Sequence, residues 1–119
     1  MSRHRLDSER SGVTHKVTIN STDIYITVSE YPGGKPGEIF IRVGKAGSEL
    51  AIYDTLATML SIMLQHNIPL EDIIKHLKGQ RLEPQGITSN TAIPIAASVP
   101  DYLGKWLELR YLKGQGAAR

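Results

Sequence analysis

Apolar and polar residues alternate along three short stretches in the first half of the chain. The stretches 14–20, 23–31 and 38–43 are rich in β-branched residues, and a period of two is typical of strands with one buried face. Turn-forming residues at 20–23 and the Pro-Gly-Gly-Lys-Pro-Gly run at 32–37 separate the stretches. The pattern therefore predicts three antiparallel strands joined by hairpins. The outer edge of the third strand is a candidate pairing surface, which favours a homo-oligomer.

After Ser48 the apolar residues recur with a period near 3.6, which predicts a long helix up to His66. Its apolar stripe consists of Leu50, Leu56, Met59, Leu60, Met63 and Leu64. Asn67 can adopt the left-handed conformation that ends a helix. Pro69 suits the first turn of a second helix, and Gly79 suits its end. The inner face of this second helix is predicted to contain Leu70, Ile73, Ile74 and Leu77.

The segment 80–95 holds two prolines and a glycine among small polar residues, so it predicts an ordered loop rather than a regular element. Ser98 followed by Asp101 resembles a capping box and opens a last helix. Tyr102 and Trp106 lie at helical spacing on that helix, and we expect both rings to belong to the core.

Strands that come first and helices that follow favour an α+β fold. We expect a three-stranded antiparallel sheet followed by two helices, a long ordered loop and a C-terminal helix, with the helices packed on one sheet face. A length of 119 residues supports one domain. We place it at residues 13–113, between a disordered polar leader at 1–12 and a flexible tail at 114–119.

The chain contains no cysteine, which excludes disulfides, thiol nucleophiles, iron–sulfur clusters and cysteine-based zinc sites. The four histidines show no metal-type spacing, so we expect no metal and no other cofactor. The hydroxyls and carboxylates show no arrangement of nucleophile, base and orienting group. We therefore expect no catalytic residue, and binding chemistry rather than an enzyme.

Charge and hydropathy exclude two classes of partner. The formal net charge is only +2, and several of the basic residues lie in the leader, which is unfavourable for a partner of duplex nucleic acid. The longest apolar stretch is far shorter than the roughly 20 residues that span a bilayer. The leader also lacks the apolar segment of a secretory signal, so we expect a cytoplasmic protein without a membrane partner.

The run Gly-Lys-Ala-Gly-Ser at 44–48 joins the third strand to the first helix and is the first candidate ligand site. Unpaired N–H groups at Gly47 and Ser48 would face an anion at the helix N-terminus. Arg42 and Lys45 would add positive charge. The spacing does not match a P-loop, so a nucleotide hydrolase is not indicated. The alternative is a tight turn in which Ser48 only caps the helix.

A second polar concentration consists of Thr88, Ser89, Asn90 and Thr91. Their hydroxyl and amide groups can read base edges or bridge phosphates. Arg81 before the loop and Arg110 on the last helix are the cations that would converge on it. The alternative is that the loop groups satisfy the backbone of turns and that each arginine is a solvated surface charge.

Four blocks of the sequence, taken in order, resemble one known family. They span about residues 5–112 and read RLDSERSGVTHKVTI, YITVSEYPGGKPGEIFIRVGKAGSEL, NIPLEDIIKHLKGQRLEPQGIT and SVPDYLGKWL. The chain resembles the TSCPD domain, which is the C-terminal domain of adenosylcobalamin-dependent (class II) ribonucleotide reductases.

The resemblance implies a scaffold without the chemistry of the reductase. In the reductases this domain follows a catalytic barrel that holds the radical-generating cysteine, the nucleotide site and the cobalamin, and none of these is present here. The motif that names the domain has Cys-Pro-Asp after Thr-Ser, and we expect it to correspond to residues 88–92, Thr-Ser-Asn-Thr-Ala. The redox cysteine pair near the reductase C-terminus is also missing.

Three functional hypotheses from different classes follow. The main hypothesis is a free-standing, non-catalytic homo-oligomer that binds a small nucleotide at the Ser48 helix start, Arg81 and the 88–91 loop. One version is a phage-type sponge that sequesters a cyclic nucleotide immune signal in an infected bacterial cell. The alternative is an accessory or detached interaction domain of a class II ribonucleotide reductase, which would then be its partner. A small nucleotide-processing enzyme ranks lowest.

Overall fold

Three antiparallel strands form the sheet in the order β1-β2-β3, as the alternation predicts. The computed structural model describes residues 2–44 and 50–113. The strands are β1 (Gly12–Ile19), β2 (Thr22–Glu30) and β3 (Pro36–Val43), with β2 in the centre. Asn20 and Ser21 both have positive φ, at 45° and 73°, which closes the first hairpin tightly.

The two faces of this sheet differ in polarity because the side chains alternate. The inner face is mostly apolar and buried, and its buried residues are Val17, Ile19, Ile24, Ile26, Val28, Ile39, Ile41 and Val43. His15, which pairs with Ile26, lies on the same face. On the outer face one cross-strand row places Lys16, Tyr25 and Arg42 side by side. The outer face therefore remains open to solvent, while the inner face holds the core.

Among the described residues, three α-helices follow the sheet: α1 (Leu50–Gln65), α2 (Leu70–Leu77) and α3 (Val99–Leu107). A single π-helical turn, Glu108–Leu112, continues α3. Asn67 (φ 67°) and Gly79 (φ 86°) follow α1 and α2 in the left-handed conformation, so both predicted helix ends are confirmed. The α+β class and the order of elements are likewise confirmed.

Helix α1 lies along the edge of β3. The Ser61 hydroxyl accepts a hydrogen bond from Ile39 N at 2.9 Å and lies 3.2 Å from Ile39 O. The Gln65 side chain donates to Gly37 O at 2.9 Å. These bonds satisfy backbone groups of β3 that β2 does not use, so at these positions the edge is not free to pair with another strand.

The long segment after α2 is an ordered loop, as predicted, and it covers the edge of β1. It contains a two-residue ladder of β4 (Gly86–Ile87) and β5 (Ile95–Ala96). Asn20 N donates to Ile87 O at 2.9 Å, and Ser89 N donates to Thr18 O at 3.0 Å. The loop thus extends the sheet by a short irregular strand.

Helix α3 completes the core beneath the sheet. Tyr102 and Trp106 are almost fully buried, which confirms their predicted place in the core. Gly104 allows α3 to approach α2 closely, because a Cβ at this position would lie 3.0 Å from the Leu77 Cβ. Met59, predicted to belong to the core stripe of α1, is instead 57% exposed.

The polar leader, for which the sequence predicts disorder, lies against the domain in the structure. Arg3 Nε donates to the Gln65 side chain at 2.6 Å, and His4 N donates to Gln65 O at 2.8 Å. Arg10 forms an ion pair of 2.6 Å with Glu38. The predicted flexible tail, residues 114–119, lies outside the described residues. Within the described part, no helix has the length and apolarity that crossing a bilayer requires.

Candidate functional site

The first turn of α3 is held by two side chains, Ser98 and Asp101. The Ser98 hydroxyl accepts a hydrogen bond from Asp101 N at 2.9 Å, so the predicted capping box is confirmed on this side. The same hydroxyl donates to Gln80 O at 2.6 Å. Ser98 therefore joins the start of α3 to the chain that leaves α2.

The Asp101 carboxylate is 1% exposed and accepts hydrogen bonds from two separate backbone segments. Gly79 N donates to one oxygen at 2.7 Å, and Ala97 N donates to the other at 2.9 Å. Lys105, one turn further along α3, lies 2.9 Å from the second oxygen. Burial alone would raise the pKa of Asp101, but these hydrogen bonds together outweigh it and lower the pKa. The carboxylate therefore stays charged and ties α2 to α3.

A partly buried chain of hydrogen bonds connects the ordered loop to β1 through α3. The Asn90 amide donates to the Tyr102 hydroxyl at 2.9 Å, and that hydroxyl lies 2.7 Å from His15 Nε2. Because Asn90 uses an acceptor position of Tyr102, the phenol can donate its proton to a neutral His15. Burial, followed by the charge of Arg110, lowers the pKa of His15. These surroundings therefore favour the uncharged form of the His15 imidazole.

Aromatic rings and a guanidinium extend this cluster along α3. The His15 ring stacks on Trp106 with centroids 5.0 Å apart, and Arg110 lies 5.9 Å from the centre of the same indole. The Tyr111 hydroxyl donates to the Glu30 carboxylate at 2.6 Å. These contacts fasten the C-terminal end of α3 and the π-turn onto the sheet. They join structural elements rather than enclose an open cavity.

The predicted loop residues use their polar groups within the protein. Thr88 Oγ1 accepts from Asn90 N at 3.0 Å, and Asn90 Oδ1 accepts from Ala92 N at 3.0 Å. Ser89 Oγ accepts from Thr18 N at 2.9 Å. Thr91 is exposed. The geometry supports the alternative, in which the loop groups satisfy turns and the sheet edge.

The predicted cations that the structure describes, Arg42, Arg81 and Arg110, lie on different elements of the fold. Arg42 lies on the outer sheet face, with its guanidinium 4.7 Å from the centre of the Tyr25 ring. Arg81 is exposed beside the start of the loop. Thr88 and Asn90 are hydrogen-bonded within the loop, whereas Arg110 lies beside the Trp106 ring at the other end of the α3 cluster. The predicted Lys45, Gly47 and Ser48 lie outside the described residues.

A groove of about 570 Å³ lies between the leader and the hairpin that joins β2 to β3. Leu6, Arg10 and Tyr31 contribute to its walls. None of the described residues predicted to bind a ligand lines this groove. The described residues also contain no group of three or more His, Asp or Glu side chains that could hold a metal ion.

The family model of the TSCPD domain matches residues 3–111. The chain belongs to the TSCPD domain family. Its relatives include a vitamin B12-dependent ribonucleotide reductase of Rhodopirellula baltica, 43% identical over 113 residues, a match that covers 94% of this chain and 11% of the relative. The enzyme of the same name from Streptantibioticus cattleyicolor is 34% identical over 92% of this chain and 18% of its own length. The enzyme of the same name from Agrobacterium fabrum is 34% identical over 92% of this chain and 9% of its own length. No solved structure matches.

This TSCPD domain spans less than a fifth of the length of each of those reductases. The motif that names the family, Thr-Ser-Cys-Pro-Asp, corresponds better to residues 97–101, Ala-Ser-Val-Pro-Asp, than to the predicted residues 88–92. Ser98, Pro100 and Asp101 agree with the motif, and the structure shows why Ser98 and Asp101 are needed. Val99 takes the cysteine position and is fully buried, where a small apolar side chain suffices.

Proposed function

We propose that this TSCPD domain is a non-catalytic interaction domain that associates with the body of a vitamin B12-dependent ribonucleotide reductase. The observation that carries the proposal is the match to the Rhodopirellula baltica enzyme, which runs through 94% of this chain and only 11% of that enzyme. A segment that forms so small a share of a large enzyme functions next to the remainder. We use the term reductase body for the part of the reductase that remains when the segment matching this chain is removed.

The chemistry of the described residues supports an assembly function. The buried Asp101 and the partly buried Asn90–Tyr102–His15 chain have partners that hold elements of this fold together. The Tyr102 hydroxyl beside His15 is buried and already pairs with His15 and Asn90, so it is not placed to attack a ligand. The domain therefore contributes surface and shape rather than a reaction centre.

The nucleotide-binding hypothesis remains a prediction with less support. Thr88 and Asn90 already have hydrogen-bond partners within the loop, so ligand binding would require those bonds to break. Isothermal titration with linear and cyclic nucleotides tests this hypothesis. If the loop groups serve only their internal hydrogen bonds, no heat of binding is expected. Arg81→Ala is the informative variant if heat is released.

The association is tested with the Rhodopirellula baltica reductase from which the matching 113 residues have been deleted. This body is immobilised, and the chain is titrated over it in solution at micromolar concentrations. We expect saturable binding that the reductase's own excised segment competes away, because both would occupy the same surface. Binding that the excised segment does not displace, or no binding at all, contradicts the proposal.

A further inference from the structure

The outer face of the sheet carries an exposed aromatic ring and two positive charges. Lys16, Tyr25 and Arg42 lie side by side in one cross-strand row, and Phe40 precedes Arg42 by two residues on β3. Phe40 is 50% exposed, and Lys16 and Arg42 are exposed as well. We call these four side chains the outer platform. The core lies on the other face of the sheet, so the platform is accessible from solvent.

The two cations of the platform are ordered but keep their charge. The Arg42 guanidinium lies 4.7 Å from the centre of the Tyr25 ring, and the Lys16 ammonium lies 5.8 Å from it. A cation–π contact orients a cation without neutralising it. Among the described residues, no carboxylate forms an ion pair with Lys16 or Arg42. The row therefore presents two positive charges, about 10 Å apart at the backbone across β2, to an anionic ligand.

The carboxylates on the same face have partners of their own. Glu38 forms an ion pair of 2.6 Å with Arg10, so this pair adds no net charge. Asp23 accepts a hydrogen bond from the Thr18 hydroxyl at 3.1 Å. Because the two cations of the platform outnumber this carboxylate, the face formed by the three strands is positive. A negatively charged ligand is therefore favoured.

Phe40 adds a stacking surface close to the charges. Side chains at positions i and i+2 of a strand are about 6.5–7 Å apart, so the Phe40 ring lies next to Arg42 on the same face. Thr27 and Thr14 continue the row of Phe40 across the sheet, with their hydroxyl oxygens 3.2 Å apart. The ring can stack a base, the cations can pair with neighbouring phosphates, and the hydroxyls can bond to a sugar or a base edge.

This combination selects a single nucleic-acid strand among anionic ligands. Each nucleotide carries an aromatic base and a phosphate, which match the ring and the cations of the platform. In a duplex the bases stack on one another and do not reach Phe40, and a net charge of +2 is unfavourable for binding through phosphates alone. An acidic peptide would pair with the cations but leave the ring without a partner. A free mononucleotide favours a concave site rather than an open sheet face.

We propose that the outer platform binds single-stranded nucleic acid, with a base stacked on Phe40 and phosphates at Lys16 and Arg42. Two phosphate contacts and one stacked base give weak binding without sequence preference. The expected dissociation constant is about 10–100 µM at low salt, within the range of non-specific nucleic-acid binding. This proposal goes beyond the association with the reductase body and does not depend on it.

The fluorescence anisotropy of a labelled oligothymidylate of about ten nucleotides measures this binding when the chain is titrated into it. Each phosphate contact on a single strand contributes about −0.7 to the slope of log affinity against log salt concentration, so two contacts predict about −1.4. Lys16→Gln should reduce the slope to about −0.7. Lys75→Gln, at an exposed position of α2, is the matched control and should leave the slope unchanged.

Substitutions of Phe40 test the stacked base. Phe40→Leu keeps an apolar side chain but removes the ring, so the affinity should fall at least about fivefold. Phe40→Tyr retains the ring and should retain the affinity. An unchanged fluorescence of the buried Trp106 verifies that each variant is folded.

Several results would overturn the proposal. These are the absence of saturable binding, and binding that neither Phe40→Leu nor Lys16→Gln weakens, which would assign it to another surface. Oligoglutamate that competes as well as the unlabelled single strand would assign the face to an acidic protein segment. Equal competition by a duplex or by thymidine monophosphate would exclude a single strand as the selected ligand. Each of these results leaves the association with the reductase body intact, because that association is measured without nucleic acid.

Discussion

Replacing Asp101 by alanine removes the group that fastens α2 to α3. The wild-type carboxylate accepts hydrogen bonds from Gly79 N and Ala97 N, at 2.7 Å and 2.9 Å. In Asp101→Ala both N–H groups lose this buried acceptor. A hydrogen bond to a charged group contributes about 1.5–3 kcal/mol, so at the lower end the two bonds together contribute about 3–4 kcal/mol. The pair with half-exposed Lys105 adds under about 1 kcal/mol.

Urea unfolding followed by the fluorescence of Trp106, the single tryptophan, measures this loss. We expect the free energy of unfolding to fall by about 3–4 kcal/mol with an unchanged m-value, because a native contact is lost without a change of fold. Asp54→Ala, which removes an exposed carboxylate from α1, is the matched control and should cost less than about 0.5 kcal/mol. A loss below about 1 kcal/mol for Asp101→Ala would refute the reasoning.

The contribution of Asp101 to the free energy of unfolding is expected to decrease at acid pH. Because the pKa of Asp101 is lower in the folded protein than in the unfolded chain, its contribution is complete above the unfolded pKa of about 3.9. The contribution is lost as the pH falls through the lowered pKa. The difference between wild type and Asp101→Ala should therefore narrow below about pH 4. A difference that stays constant down to the acid transition contradicts the charged-carboxylate account.

Three further predictions follow from the packing. Leu60→Ala should lower the free energy of unfolding by about 2–5 kcal/mol, and Met59→Ala by less than about 0.5 kcal/mol, in urea titrations; equal losses would place both in the core. Ser61→Ala should cost about 1–2 kcal/mol, because Ile39 N loses its acceptor, and hydrogen exchange at that amide should accelerate; an unchanged rate would contradict the edge contact. The lowered pKa of His15 means that wild type loses stability as the pH falls below about 6.5, and His15→Phe should flatten this dependence in denaturation at a series of pH values; an equal slope would exclude His15 as its source.

The strands, helices and helix ends could be predicted because each has a local physical signature. Alternation with a period of two defined the inner face of the sheet, since every second side chain of β2 and β3 must point to the core. Asn67 and Gly79 ended helices because they tolerate positive φ. Ser98 indicated the start of α3 because a serine hydroxyl commonly caps the N-terminus of a helix. None of these inferences needed knowledge of distant contacts.

The site could not be predicted in the same way because its contacts join residues far apart in sequence. Nothing local indicates that His15 stacks on Trp106, or that Asn90 reaches Tyr102. The polar 88–91 loop suggested a ligand, but its groups pair with one another and with β1, which composition cannot distinguish. Met59 was assigned to the core because helical periodicity gives the width of an apolar stripe and not the extent of what covers it.

The association of the domain with the reductase body is tested most directly by sedimentation velocity. The chain lacks cysteine, so His76→Cys, at an exposed position of α2, accepts a single dye for selective detection. With the Rhodopirellula baltica reductase lacking its matching 113 residues, the dye should sediment with the large body. With the full-length reductase, whose own segment occupies the surface, it should sediment as free domain. Dye that sediments as free domain in both mixtures would contradict the account.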